Sequence, residues 1–373
     1  MMLKRCWIGW AACAQVALMQ ACGSDQAVGD SQVVAAAQQL RAGRGDNGEA
    51  FIAVDILATL KNSKRVVSCS NPNLDLNLAY SVSGEDGPFE VFATERDLTC
   101  EVLQTGDFAL VIDNSGSEEV WIEELKTASR SILDRLIPLG GRASVVRVST
   151  DASVLAEVTW QRDVLHEALD QMYVNAGWTA LYDGVRMGNE TLERADPSAR
   201  FDSYPDAETF CDASRKLGII AVTDGHENNS SHQQLKSEEY PGDGIDTDLA
   251  DLYSLSVGGV TTPIYTIGLG DNVEHDELSD LAMTTGGRHM AIEQADDVNN
   301  AFDLIADYAE FRHQFCTTLP EDICGTVHVR VHHETRVSGN RGGRRGPAPT
   351  PPPDVEDEII AVQIPCLPGE QPL

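Results

Sequence analysis

The middle of the chain alternates short apolar runs with stretches of helical spacing. "FALVI" (108–112) is apolar at every position, as a strand covered on both faces must be. After it, "EEVWIEELKTASRSILDRLI" places Val120, Ile122, Leu125, Ile132, Leu133 and Leu136 on one helical face until Pro138 ends the run. "ASVVRVST" and "SVLAEVTW", joined by a tight Asp-containing turn, predict a hairpin. Helices are expected at "QRDVLHEALDQM" and "ALYDGVRMGNETLERA", followed by a long irregular insertion and the strands "LGIIAVT" and "PIYTIGLG". The helix "HDELSDLAM", the short strand "RHMAI" and the helix "DVNNAFDLIADYAEF" close the series. Strands alternating with helices predict an α/β, doubly wound, mostly parallel sheet covered on both faces, and the hairpin adds one antiparallel edge strand.

The two ends of the chain have a different period. Between 50 and 105, "FIAVDILATL", "KRVVSC", "LDLNLAYSV" and "FEVFA" are separated by Asn, Pro and Gly clusters. Near the C-terminus "GTVHVRVHHETRV" alternates cleanly and "DEIIAVQIPC" supplies a second strand. The expectation is an accessory β-rich domain built from both ends: 50–105 pairs with 316–373, interrupted by a Pro/Gly-rich loop at 338–356. The doubly wound domain lies between them, at 106–315.

Residues 1–21 carry a basic start, "MMLKR", and an apolar core too short to span a bilayer comfortably, so an export signal is expected. Cys22, preceded by Ala21 and followed by "GSD", resembles the lipidated cysteine of bacterial lipoproteins. That resemblance implies a lipid anchor in the cell envelope, with Gly23 pointing to the outer membrane; ordinary signal cleavage is the alternative. Residues 22–49, rich in Gln, Ala, Gly and Asp, read as a flexible tether. Within it Arg44-Gly45-Asp46 matches the integrin-binding tripeptide, a match short enough to arise by chance.

With Cys6 and Cys13 in the signal and Cys22 assigned to lipid, an even set of cysteines remains in an exported chain, which suggests disulfides. The expected pairs are Cys69 with Cys100 and Cys316 with Cys366, each joining segments that read as neighbouring strands. Cys211 and Cys324 are left unassigned.

The chain has 373 residues and a formal net charge of -32. Its length and apolar content suffice for a large domain and a smaller one. The charge argues against a nucleic-acid partner, because only "GNRGGRRG" near residue 340 could neutralise phosphates. It also makes a cation the natural counter-charge wherever carboxylates gather.

Carboxylates do gather at strand ends. "FALVI" ends in Asp113 and "LGIIAVT" in Asp224; in a doubly wound sheet both face the rim where ligands bind. Ser115 and Ser117 follow Asp113 across Gly116, which lets the backbone turn. Hydroxyls, carboxylates and waters suit a hard cation such as Mg²⁺ and leave it electrophilic towards an incoming anion.

"DNSGS" resembles the D-x-S-x-S motif of von Willebrand factor type A (VWA) domains, which carry a metal-ion-dependent adhesion site. Thr179 in "GWTALYDGV" and Asp224 in "AVTDGHEN" are similar to that family's threonine and second aspartate, and the resemblance spans about residues 106 to 315. It implies a Rossmann-like VWA fold. It also implies a divalent ion, Mg²⁺ (or Mn²⁺ or Ca²⁺), held through the hydroxyls of Ser115, Ser117 and Thr179, with Asp113 and Asp224 acting mainly through bound water. The family's usual Met after the second serine is Glu118 here.

The function expected from this resemblance is binding of a protein partner that offers a Glu or Asp to the metal. The alternative is a structural envelope protein whose VWA domain is a scaffold. An enzyme is not expected: the G-x-S-x-G elbow and the Walker A fingerprint are absent, no Rossmann glycine fingerprint sits between an expected strand and helix, and His226 reads as a solvated loop residue. His328 and His332 with Glu334 could form a weak zinc site, and Asp243, Asp246 and Asp248 a calcium loop, but these read as strand surface and acidic loop.

Overall fold

The computed structural model describes residues 33–60, 74–91, 99–102, 106–115, 121–173, 177–196, 204–213, 216–225, 227, 230, 247–271, 273–294, 297–319, 323–335 and 358–364. The export signal, Cys22, Cys69, Ser117, Glu118, His226, Asp243, Asp246, the loop 338–356 and Cys366 lie outside them. Among the described residues no helix is long and apolar enough to cross a membrane.

The chain opens with β1 (Val33–Arg44), β2 (Ala50–Leu60), β3 (Leu74–Ser81), β4 (Glu90–Val91) and β5 (Thr99–Val102). The α/β part follows: β6 (Gly106–Asp113), α1 (Ile122–Leu136), β7 (Arg142–Val148), β8 (Ala152–Thr159), α2 (Arg162–Asp170), α3 (Leu181–Ala195), α4 (Ala207–Ala213) and β9 (Lys216–Thr223). It continues through α5 (Leu249–Leu252), the two-residue strands β10 (Ser256–Val257) and β11 (Val260–Thr261), β12 (Ile264–Leu269), α6 (His275–Thr284), β13 (His289–Ile292) and α7 (Val298–Glu310). The last strands are β14 (Phe311–Thr318), β15 (Gly325–Thr335) and β16 (Glu358–Ile364).

The central sheet runs β13-β12-β9-β6-β7-β8. All its pairings are parallel except β7 with β8, the hairpin at one edge. Every residue of β6 is buried because alternate side chains serve opposite cores. Phe108, Leu110 and Ile112 pack with α1, α2 and α7. Ala109 and Val111 pack with α3, α5 and α6. On that second face α3 lies close to the sheet: a Cβ at Gly184 would sit 2.2 Å from Val148 Cγ2, so only glycine admits the approach. From β6 the chain winds to β7 on one side, and β9 returns on the other. The strand order therefore reverses between β6 and β9, and Asp113 and Asp224 stand at that crevice.

The chain ends form two antiparallel sheets, β1-β2-β14-β5 and β16-β15-β3-β4, that share one core. Ile52, Val54 and Ile56 of β2 meet Val327, Val329 and Val331 of β15 there, with Phe315 from β14. The pairing of 50–105 with the C-terminal strands is thus present, as a sandwich of two sheets. β14 begins directly after α7, so the handover falls at 310/311 rather than after 315.

The tether expected over 22–49 does not extend through 33–44. That segment is β1, paired antiparallel with β2 along its length. Leu40 and Ala42 pack against the sandwich core, and Gln39 adds long-range bonds. Gln39 Nε2 donates to Leu217 O (3.1 Å) and Leu217 N donates to Gln39 Oε1 (3.3 Å), which joins β1 to the start of β9. The Arg44-Gly45-Asp46 tripeptide lies in the turn after β1. Its arginine is buried, donating to Gly48 O and Ile323 O, and does not offer an integrin-type ligand.

The cysteine pairing also differs. Cys316 on β14 is bonded to Cys211 on α4, with Cα atoms 6.0 Å apart, and so is not available to Cys366. Strand-neighbour reasoning failed because the insertion after α3 folds back onto β2: Phe210 stacks on Phe51 at 5.7 Å between ring centroids, carrying Cys211 to β14. Cys324 is disulfide-bonded as well.

One pair of histidines at the β12 edge sets a pH response. Four contacts run in a chain: His275 Nε2 to Gly270 O (3.0 Å), His275 Nδ1 to His289 Nε2 (3.0 Å), His289 Nδ1 to Thr266 Oγ1 (2.9 Å), and Thr266 Oγ1 donating to Leu278 O (3.1 Å). Burial first, and then the neighbouring His275, push His289 down to about 4. An unfolded histidine titrates near 6.5, so this group's stabilising contribution is fully present above about pH 6.5 and is lost as pH falls towards 4. His289→Asn is expected to flatten the pH dependence of the denaturant midpoint in that window, and an unchanged slope would contradict the assignment.

Candidate metal centre

Four of the five residues expected to hold a cation converge. Asp113 ends β6, Ser115 follows in the turn, Thr179 precedes α3 and Asp224 follows β9; all four are buried. Ser115 N donates to Asp113 Oδ1 (2.8 Å), and Thr179 Oγ1 donates to Ser115 Oγ (3.2 Å). The Asp224 charge acts on Asp113 across the crevice. Ser117, the fifth, lies outside the described residues.

Desolvation pushes the Asp113 carboxyl up to about 6, and the Asp224 charge adds to the rise. The groups pulling the other way are the hydrogen bonds from Thr223 and Ser115, both neutral. A buried Asp113 carboxylate held by neutral groups beside a second buried carboxylate is a poor arrangement for the protein alone. It is a fitting one for a hard cation: every donor is oxygen, and two carboxylates match the charge of a divalent ion. Among the described residues no three His, Cys, Asp or Glu side chains gather to hold a metal; Asp243, Asp246 and the side chains of His332 and Glu334 lie outside them.

Three supporting residues escaped the sequence reading. Thr223 donates its hydroxyl to Asp113 Oδ2 (2.6 Å) and receives Gly225 N (3.1 Å), fixing the carboxylate and the turn that carries Asp224. Its signal was its place immediately before Asp224. Asn114 takes Val148 O through its backbone N–H (2.8 Å) and donates Nδ2 to Tyr173 O (2.7 Å), tying the Asp113 turn to the segment leading to Thr179. Glu227 caps α3, receiving Tyr182 N (2.9 Å) while also holding Ser230, whose hydroxyl receives Asp183 N (3.0 Å). These bonds satisfy orphan N–H groups of the helix that positions Thr179. No motif announces Glu227, since its role depends on where the loop after β9 passes.

The family model for the von Willebrand factor type A domain matches residues 107–304. The chain belongs to that family. Its VWA domain is similar in fold to several solved structures. One is proximal thread matrix protein 1 from the mussel byssus, in a form with a zinc-occupied MIDAS motif, at 19% identity and TM-score 0.41, covering 63% of this chain and 50% of that one. A second is a von Willebrand factor type A protein from Catenulispora acidiphila, at 14% identity and TM-score 0.43, covering 83% and 71%. A third is the vWF domain of the type V pili tip protein Mfa5 from Porphyromonas gingivalis, at 12% identity and TM-score 0.37, covering 56% and 95%. The chain spans about half the length of the mussel protein. No curated protein sequence matches.

Proposed function

We propose that this chain is an exported, lipid-anchored protein of the bacterial cell envelope, in the outer membrane through Cys22. In this reading its VWA domain binds a protein partner through a divalent cation, Mg²⁺ or, in its place, Mn²⁺ or Ca²⁺. The observation that carries the reading is the convergence of Asp113, Ser115, Thr179 and Asp224 from three segments onto one buried crevice. Ser115 and Thr179, with Ser117, hold the ion through hydroxyls, and Asp113 and Asp224 hold its waters. When bound, the ion supplies an electrophilic position for a partner's Glu or Asp. Asp113 is kept in place by Thr223 and by Ser115 N, so its orientation does not depend on the ligand.

The function so read is non-enzymatic. Ser115 hydrogen-bonds Thr179 and the Asp113 carboxylate, and in this reading its hydroxyl oxygen serves the cation.

Millimolar Mg²⁺ is expected to raise the melting temperature of the full chain, because a ligand at about a hundred times its Kd adds roughly 2.7 kcal/mol to folded-state stability. Thr179→Ala removes one ligand and should weaken Mg²⁺ binding in calorimetric titration. If Mg²⁺, Mn²⁺ and Ca²⁺ all leave melting unchanged, the cation reading ends and the VWA domain is a scaffold for the β-sandwich.

A further inference from the structure

The segment that delivers Thr179 to the crevice also displays two aromatic side chains. Tyr173 is 63% exposed and Trp178 is 50% exposed. Isolated exposed aromatics are ordinary; what sets this pair apart is how its backbone is held. Tyr173 O receives Asn114 Nδ2 from the turn between Asp113 and Ser115. Trp178 N donates to Thr150 Oγ1 (3.2 Å), and Ala180 N donates to Ser149 O (2.8 Å). Gly177 is pressed against the loop after β7: a Cβ there would lie 2.1 Å from Thr150 Oγ1. Two rings in solvent are thus carried by backbone bonded to the cation crevice, so little ordering remains to be done when a ligand arrives.

Charge narrows what that ligand is. A chain of net charge -32 repels a partner that brings only a carboxylate. A positive group beside the partner's carboxylate removes that repulsion, and the face of Trp or Tyr attracts a cation directly. Arginine meets both conditions better than lysine, because its planar guanidinium stacks on a ring.

We propose that Tyr173 and Trp178 form the specificity-determining flank of the cation site, and that the ligand is a protein segment with an arginine a few residues from its metal-binding carboxylate. The proposal rests on the cation-bridged reading above and adds to it the identity of the neighbouring contact.

The test uses the full chain and labelled synthetic peptides that vary independently at the acidic position (Asp or Asn) and at its neighbour (Arg or Leu), read by fluorescence anisotropy in Mg²⁺. The Asp/Arg peptide should bind best, and Leu for Arg should weaken it about five- to tenfold. Trp178→Ala with Tyr173→Ala should erase the preference for Arg while the Mg²⁺ melting shift persists, and Trp178→Phe should restore part of it. A Leu peptide that binds as well as the Arg peptide, or a preference that survives the double variant, overturns the proposal while leaving the cation reading in place. A wild type whose melting ignores Mg²⁺ overturns both, and that outcome is seen before any peptide is added.

Discussion

Asp113→Asn is expected to stabilise the metal-free chain and at the same time to abolish its response to Mg²⁺. The two effects share one cause. Burial raises the folded-state pKa of Asp113 from 3.8 to about 6, so the ionised side chain is disfavoured in the fold relative to the unfolded chain. A raised carboxylate pKa means that stability is greatest at low pH and declines as pH rises from about 4 through 6. By neutral pH the penalty is on the order of 3 kcal/mol, at about 1.4 kcal/mol per pKa unit. Asparagine carries no charge and its oxygen can still receive Ser115 N, whereas its amide cannot accept the Thr223 hydroxyl, a loss of about 1 kcal/mol. The expected balance is a gain of about 2 kcal/mol above pH 6 that shrinks as pH falls and turns into a loss of up to about 1 kcal/mol at pH 4 and below. Melting curves of both proteins across that range, with chelator and with Mg²⁺, check it. An Asn variant that melts below wild type in chelator at pH 7, or that still shifts with Mg²⁺, contradicts the assignment of Asp113. The same reasoning explains why so awkward a residue sits at the end of β6: a group that destabilises the empty fold is stabilising once a cation faces it.

Much of the VWA domain could be read before any coordinates, and the reason is local. β6 is apolar at consecutive positions because it serves two cores, and α1 shows its buried face at helical spacing. The hairpin carries its own turn. Asp113 and Asp224 were legible because strand ends in a parallel sheet share a rim, and Ser115 and Thr179 because of the family motif. What stayed hidden depends on partners distant in sequence. β1 contains no strong apolar run, and Gln39 finds its bonds at Leu217. Thr223, Asn114 and Glu227 support the site through hydrogen bonds that no spacing encodes. Arg44 is polar by composition yet buried in fact, because Gly48 and Ile323 supply carbonyls to it.

Removing the Cys211–Cys316 disulfide, by Cys211→Ser with Cys316→Ser, is expected to lower the stability of the whole molecule without touching the cation response. The bond closes a sequence separation of 105 residues. Chain entropy assigns a cross-link of that length between 4 and 5 kcal/mol, and measured values run lower, so about 3 kcal/mol is the working figure. For a chain of 373 residues that is a fall in melting temperature of roughly 4 °C. The native state should change little, because α4 stays docked by its aromatic contacts: Phe210 stacks on Phe51, and Tyr204 meets Phe210 edge-on at 5.1 Å. The site should be indifferent for a geometric reason. The β-sandwich meets the central sheet at the start of β9, through Leu217, whereas Asp224 follows its end, seven residues on along the strand and about 23 Å away. A double variant with wild-type melting would show that the aromatic cluster alone holds the insertion. One that loses its Mg²⁺ shift as well would show that the two ends of the sheet are coupled, since no ligand of the cation lies near the bond.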